Sequence, residues 1–264
     1  MKKRQMISWL ILILAFMAMP TGAGSPTATG TIRVDLGEGV EMIFIRIPAA
    51  GLWVATYEVT NGQYKRYDAA HVSPPYFQNE MDDDDQPVVF VSWRQAKDYT
   101  EWMTRRFGDQ IPLGNAFRLP LEREWAIFAA CGDTRPYPWG RMWPPPNDWN
   151  YRGEEGIWIP VRPLPNDHII HGHTDGFITT APVRKSGRNE WGLYGVGGNV
   201  WEWCLDEFEG TYGARVIRGG SWHNHLESHL KLTYRTFADP DSSNAMIGFR
   251  VVIGRPVDVP ADGH

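Results

Sequence analysis

Tryptophan sets the first constraint on this chain. Its 13 tryptophans are dispersed among 27 glycines and 20 prolines. Glycine and proline interrupt long helices and strands, whereas large rings supply buried area without needing regular structure. The combination describes a loop-rich domain held by aromatic packing. A net charge of −5 with 22% charged residues leaves no basic footprint for nucleic acid.

The N-terminus predicts the compartment. Lys2, Lys3 and Arg4 precede an apolar run from Ile7 to Met19, and Pro20, Thr21, Gly22, Ala23 and Gly24 follow. This is the layout of a secretory signal peptide over residues 1–23, cleaved after Thr21-Gly22-Ala23. The run falls short of the ~20 residues that span a bilayer, so no stable membrane span is expected after cleavage. No cysteine stands at the cleavage site, so a lipid anchor is not expected and a periplasmic or secreted protein is. In an oxidising compartment Cys131 and Cys204 either pair or remain two buried thiols, and sequence does not give their separation.

A linker or strand occupies residues 24–40, the main domain 41–254, and a Pro-rich tail 255–264. From Ile32 to Ile47 the pattern partly alternates, with Met42, Phe44 and Arg46 on one face and Ile43, Ile45 and Ile47 on the other. Thr60 is expected to cap a helix running to Ala70, and Ser92 one running to Phe107 with Ala96, Tyr99, Trp102 and Met103 on one face. A further helix spans Leu121 to Ala130. Asp82 to Asp85 reads as a solvated loop, and Val88 to Val91 as a short buried strand. Regular patterns fade between Pro136 and Pro182, as in a long ordered loop or a disordered insertion, and the tryptophans there argue for order. Strands are expected at Ala214–Arg218, Lys231–Phe237 and Gly248–Ile253.

Several blocks then follow in a fixed order: Tyr57-Glu58-Val59-Thr60-Asn61, Val91-Ser92-Trp93, Arg118-Leu119-Pro120-Leu121-Glu122, Tyr137-Pro138-Trp139-Gly140, Gly198-Asn199-Val200-Trp201-Glu202-Trp203, Arg218-Gly219-Gly220-Ser221-Trp222 and Ile247-Gly248-Phe249-Arg250. Together they resemble the formylglycine-generating enzyme, or sulfatase-modifying factor, superfamily over about residues 41–253. The resemblance implies an α+β fold related to C-type lectins, with little regular secondary structure. Trp125, Trp139, Trp201 and Trp203 are expected to pack the core.

The family's oxidising chemistry uses two cysteines and copper shortly after the Gly-Gly-Ser turn, and soft thiolates suit that metal. The matching positions here are Asn224 and His229, so formylglycine generation by that mechanism is not expected. His223, His225 and His229 form a His-x-His-x3-His cluster; either they ligate a transition metal or they are polar residues of a variable loop. His168, His171 and His173 form a second cluster, expected either to face solvent or to converge with the first. The resemblance also implies structural calcium. Asn150, Tyr151, Asp175 and Phe177 match a first site, and Gly198, Val200 and Glu202 a second. The family usually has Asn or Asp where this chain has Gly195, which removes one ligand from the second site.

The function expected is a binding module for a protein, peptide or small molecule, with its ligand surface in residues 222–246. Trp201, Ser221, Trp222, His223, Asn224, His225 and His229 are the candidate surface. The alternative is a divergent periplasmic oxidoreductase, of siderophore-tailoring type or with a His-ligated metal. A third possibility is an accessory protein that binds a sulfatase peptide without oxidising it.

Overall fold

The computed structural model describes residues 30–158 and 168–258. The segment 1–23 read as a signal peptide, residues 24–29 of the linker or strand that follows and residues 259–264 of the tail lie outside them. No helix among the described residues is long and apolar enough to cross a membrane.

Two sheets form the frame. The first contains β1 (Thr31–Gly37), β2 (Val40–Ile47), β3 (Leu52–Ala55), β4 (Ala116–Arg118) and β9 (Val252–Gly254), in the order β1-β2-β3-β9-β4. The second contains β5 (Trp201–Glu207), β6 (Arg215–Arg218), β7 (Thr236–Ala238) and β8 (Ile247–Gly248), in the order β7-β6-β5-β8. Only the β5–β8 pair is parallel among these named strands. The helices are α1 (Asn61–Tyr64), α2 (Trp93–Phe107), α3 (Glu122–Ala129) and α4 (Glu227–Leu230).

Local chemistry explains where elements begin. Ser92 Oγ accepts from Gln95 N while Gln95 Oε1 accepts from Ser92 N, a capping box that starts α2 where expected. Ala96, Tyr99, Met103 and Phe107 then bury one stripe of that helix, and Trp102 is only half-buried. α3 also forms as expected. Trp125, Trp203 and Trp201 are buried, and Trp139 is half-buried.

Other elements differ from the expectation, each for a local reason. The alternating stretch from Ile32 to Ile47 is a hairpin, because Glu38 (φ 53) and Gly39 (φ 78) make a two-residue turn with both residues left-handed. Thr60 caps α1, but the helix ends at Tyr64, where tighter turn bonds take over, Arg66 N donating to Gln63 O and Tyr67 N to Tyr64 O. Val88, Val89 and Val91 are buried yet form no strand. Their neighbourhood hydrogen-bonds in three directions: Val88 N to Val59 O, Val89 N to Ser73 Oγ, and Phe90 N, at φ 58, to Asn244 O. The strand expected from Lys231 begins only at Thr236, because α4 and a turn precede it. The strand expected at Gly248–Ile253 is divided between the two sheets, with β8 in one and β9 in the other.

Arg250 lies at that division. Its guanidinium is fully buried and donates to both oxygens of Glu202 on β5, at 2.6–3.1 Å. It also donates to Ala55 O on β3 (2.9 Å) and to Tyr194 O (2.6 Å). Glu202 accepts a further bond from Trp125 Nε1 on α3 (2.9 Å). Both sheets, a helix and a loop therefore share one ion pair. Glu202→Gln leaves a buried guanidinium without its counter-charge, and unfolding midpoints in urea should report a loss of about 3–5 kcal/mol. A loss below about 1 kcal/mol would show that the pair does not bear on stability.

Candidate functional site

The Gly-Gly-Ser turn shapes the face that follows β6. Gly219 (φ 101) and Gly220 (φ 80) are left-handed, and a Cβ on Gly220 would lie 3.3 Å from the Tyr151 ring, 3.8 Å from Asn224 Oδ1 and 3.9 Å from His229 O. The two positions matching the family's cysteines therefore converge on this turn. Asn224 Oδ1 accepts from Ser221 N (2.9 Å) and Ser221 Oγ (3.0 Å), and Asn224 N donates to Ser221 O. The amide oxygen is thus committed to its own turn. The His229 ring packs on Tyr234 at 4.4 Å, and Tyr234 lies against Trp201 at 6.1 Å.

The residues named as a ligand surface separate into two layers. Trp201, Ser221 and Trp222 are buried and form a floor; Trp222 Nε1 donates to Ala245 O. His223, Asn224, His225 and His229 are half-buried above it. The three histidines diverge. His223 meets Arg152, His225 stacks on His168 at 5.5 Å, and His229 meets Tyr234. Residues 222–223 form a turn and 224–226 are not strand, so alternation along a strand does not apply to them. Among the described residues, no three His, Cys, Asp or Glu side chains are grouped to hold a metal ion. In the second cluster His168 and His171 are exposed, but His173 is fully buried, against the expectation for it. Its Nε2 lies 3.4 Å from Asp175 Oδ2, in a turn where Gly153 leaves no room for a side chain.

Burial and Arg152 together push the His223 pKa down to about 4, so the ring is neutral near pH 7. Arg152 Nη1 sits 3.3 Å from His223 Nε2. Arginine has no acceptor, so Nε2 must accept and the ring proton is assigned to Nδ1. Cys131 and Cys204 are both free, and burial raises both thiols. Neither is prepared as a thiolate.

The two calcium sets differ in suitability. In the first, Asn150 Oδ1 is buried without a donor, and so is the neighbouring Glu155 Oε2. Burial lifts the Asp175 pKa to about 6, and the neighbouring Glu155 adds to the rise. Among the described residues no amide donates to the Tyr151 or Phe177 carbonyl. Hard oxygens with spare lone pairs fit calcium. In the second set, Glu202 already gives both oxygens to Arg250 and Trp125, so a guanidinium stands where a cation would serve. The space opened by Gly195 is filled by Glu58: a Cβ on Gly195 would lie 2.1 Å from Glu58 Oε1. This set does not suit a metal ion.

Glu58 is the residue that sequence reasoning passed over here. It is fully buried, Oε1 accepts from Asn199 Nδ2 (3.1 Å), and Oε2 has no partner. Desolvation, opposed by Arg250, raises its pKa to about 7. Gly195, where the family has Asn or Asp, was the signal that another side chain takes that space.

The raised pKa has a defined effect on stability. Between the ordinary carboxyl value and about 7, the folded state binds the Glu58 proton and the unfolded state does not. Stability from this group is therefore full at low pH and falls as pH rises through about 7. Compared with Glu58→Gln, the wild type should lose melting temperature progressively from about pH 5 to pH 8. Parallel profiles for the two proteins would mean that Glu58 does not titrate there.

With this geometry in place, comparisons with known proteins add context. Residues 28–255 match the sulfatase-modifying factor enzyme 1-like domain. The formylglycine-generating enzyme of Streptomyces coelicolor is 34% identical over 184 residues, covering 62% of this chain and 51% of the enzyme. Inactive C-alpha-formylglycine-generating enzyme 2 of Bos taurus is 32% identical over 176 residues, covering 64% of this chain and 50% of that protein. The chain thus spans about half the length of these curated relatives. Among solved structures, Treponema denticola variable protein 1 superposes with a TM-score of 0.63 at 20% identity, covering 88% of this chain and all of that one. PvdO from Pseudomonas aeruginosa gives 0.57 at 19% identity, covering 85% and 91%. These likenesses establish the formylglycine-generating-enzyme-like α+β fold.

Proposed function

The chain belongs to the sulfatase-modifying factor enzyme 1-like domain family, and we propose that this member uses the face over residues 222–246 to bind an extended peptide without oxidising it. Asn224 carries this reading. At the first thiol position its oxygen is tied to Ser221, and at the second the His229 ring packs at a tilt against Tyr234. Neither offers a thiolate, and the free cysteines are protonated elsewhere in the fold. What the face presents instead is a row of half-buried imidazole and amide groups over an aromatic floor, suited to adaptable polar contacts. That a relative of similar identity bears the name of an inactive enzyme supports retention of the scaffold without the oxidation.

Copper, oxygen and a cysteine-containing unfolded sulfatase peptide provide the test. Calorimetry should give saturable binding, weakened about tenfold by His229→Ala, the scale of one lost hydrogen-bonded contact. Mass spectrometry should return the peptide unchanged. Conversion of its cysteine to an aldehyde, or no binding at all, overturns the proposal.

Structural calcium belongs in the first set, held by the Asn150 and Asp175 side chains and the Tyr151 and Phe177 carbonyls. The unpartnered Asn150 and Glu155 oxygens and, among the described residues, the Tyr151 and Phe177 carbonyls without an amide donor support this assignment. Saturating calcium should raise the melting temperature by about 5 °C or more, the scale expected of a ligand bound only by the folded state. Asp175→Asn should lose most of that rise. An equal rise in the variant would place the ion elsewhere.

A further inference from the structure

Arg152 is a buried cation without an anion. Only 6% of it is exposed, and among the described residues no carboxylate lies within ion-pairing distance of its guanidinium. Such groups are ordinarily paired when buried, because removing a charge from water is costly. The remaining neighbours of Arg152 do not supply that charge. Nη1 donates to neutral His223, Nε is buried without a partner beneath the turn containing Gly156, and the Tyr76 hydroxyl is the nearby group of favourable sign. Among the described residues Nη2 makes no hydrogen bond, and unlike Nε it is not fully buried.

The backbone holds this group firmly. Arg152 N donates to Asn224 O, and Arg152 O accepts from Ile170 N. Arg152 is therefore attached directly to the turn that replaced the cysteine positions. Around it the walls are aromatic: Trp222 meets His223 at 5.4 Å and Tyr76 at 5.0 Å, and the left-handed Phe77 beside Tyr76 is exposed.

We propose that Arg152 and His223 form an oxyanion-binding subsite on this face, one that takes a carboxylate or phosphate group carried by the ligand. The inference rests on the peptide-binding reading and narrows its ligand to one bearing such a group. Arginine suits it because its planar donors match both oxyanions, and a partly desolvated charge binds more strongly than an exposed one. His223 becomes a second donor by turning its ring when the anion takes Nη1, because its Nδ1 proton points away from the guanidinium while Nε2 accepts from Nη1.

Imidazole NMR of the mature protein, titrated with sodium succinate and, separately, inorganic phosphate, tests the subsite. Sodium chloride of matched ionic strength is the control. Saturable movement of the His223 resonances with succinate, phosphate or both is the expected result, and which anion acts identifies the group. Arg152→Met should weaken the effect at least about tenfold while keeping the melting temperature equal or higher, since the variant removes an uncompensated buried charge. Arg152→Lys should retain a weaker response. No saturable movement with either anion, the same movement in Arg152→Met, or an equal response to chloride overturns the subsite. Binding of the sulfatase peptide, measured on the same preparations, separates the two readings. Anion binding that fails while that peptide still binds removes the subsite alone, and peptide binding that fails while the anion still saturates removes only the peptide reading.

Discussion

The ion pair between Glu202 and Arg250 is the constraint on which the rest depends. Two full charges removed from water are tolerated only when geometry and additional bonds compensate for desolvation. Here Trp125, Ala55 and Tyr194 provide those bonds, and each comes from a different part of the chain. Meeting the polar needs of one buried guanidinium therefore fixes the second sheet against the first, and α3 against both. The same charge acts on Glu58 at a distance, but not enough to offset that residue's burial, so its proton is held to about pH 7. One carboxylate is matched and the other is not, although both lie in the same interior.

Close backbone approach lets so much loop become ordered structure. Gly198 leaves room for the Asn150 carbonyl, which a Cβ would meet at 2.4 Å, and Asn199 N then donates to that carbonyl. Asn199 Oδ1 meanwhile accepts from Asn150 Nδ2 and Ala181 N. Three distant segments are joined by a single asparagine, itself at φ 55. Regular ladders are unnecessary when loop polar groups are satisfied in this way. The high glycine content thus reports crossings between loops as well as turns.

Sequence reading succeeded where the determining interaction is local. Ser92 and Thr60 cap their helices through residues three positions away, and such signals need no tertiary information. It failed where one stretch serves two distant partners. Gly248 to Ile253 is a single apolar run, yet its halves belong to different sheets, and only Arg250 marks the crossing. The histidines show another limit. Their spacing suggested one face, but a turn directs each ring to its own neighbour. Nothing in the sequence around Arg152 reveals that it lacks a counter-charge, because that property depends on every carboxylate that the fold places elsewhere.

Asn150, Tyr151 and Arg152 bring these themes together in three consecutive residues. The first carries an amide oxygen in need of a cation or donor, and the third a guanidinium in need of an anion. Their backbone is held at successive points: Asn150 O by Asn199, Tyr151 N by Asp175, and Arg152 N by the carbonyl of Asn224. The segment is too short and too well bonded for one end to move without the other. A cation that orders Asp175 and Asn150 would therefore also set the position of Arg152 beneath the ligand face. In this geometry an ion at Asn150 and Asp175 would act on the proposed ligand face through three residues of shared backbone, with no need for a change in the sheets, because the Glu202–Arg250 pair keeps the frame fixed on the other side of Asn199.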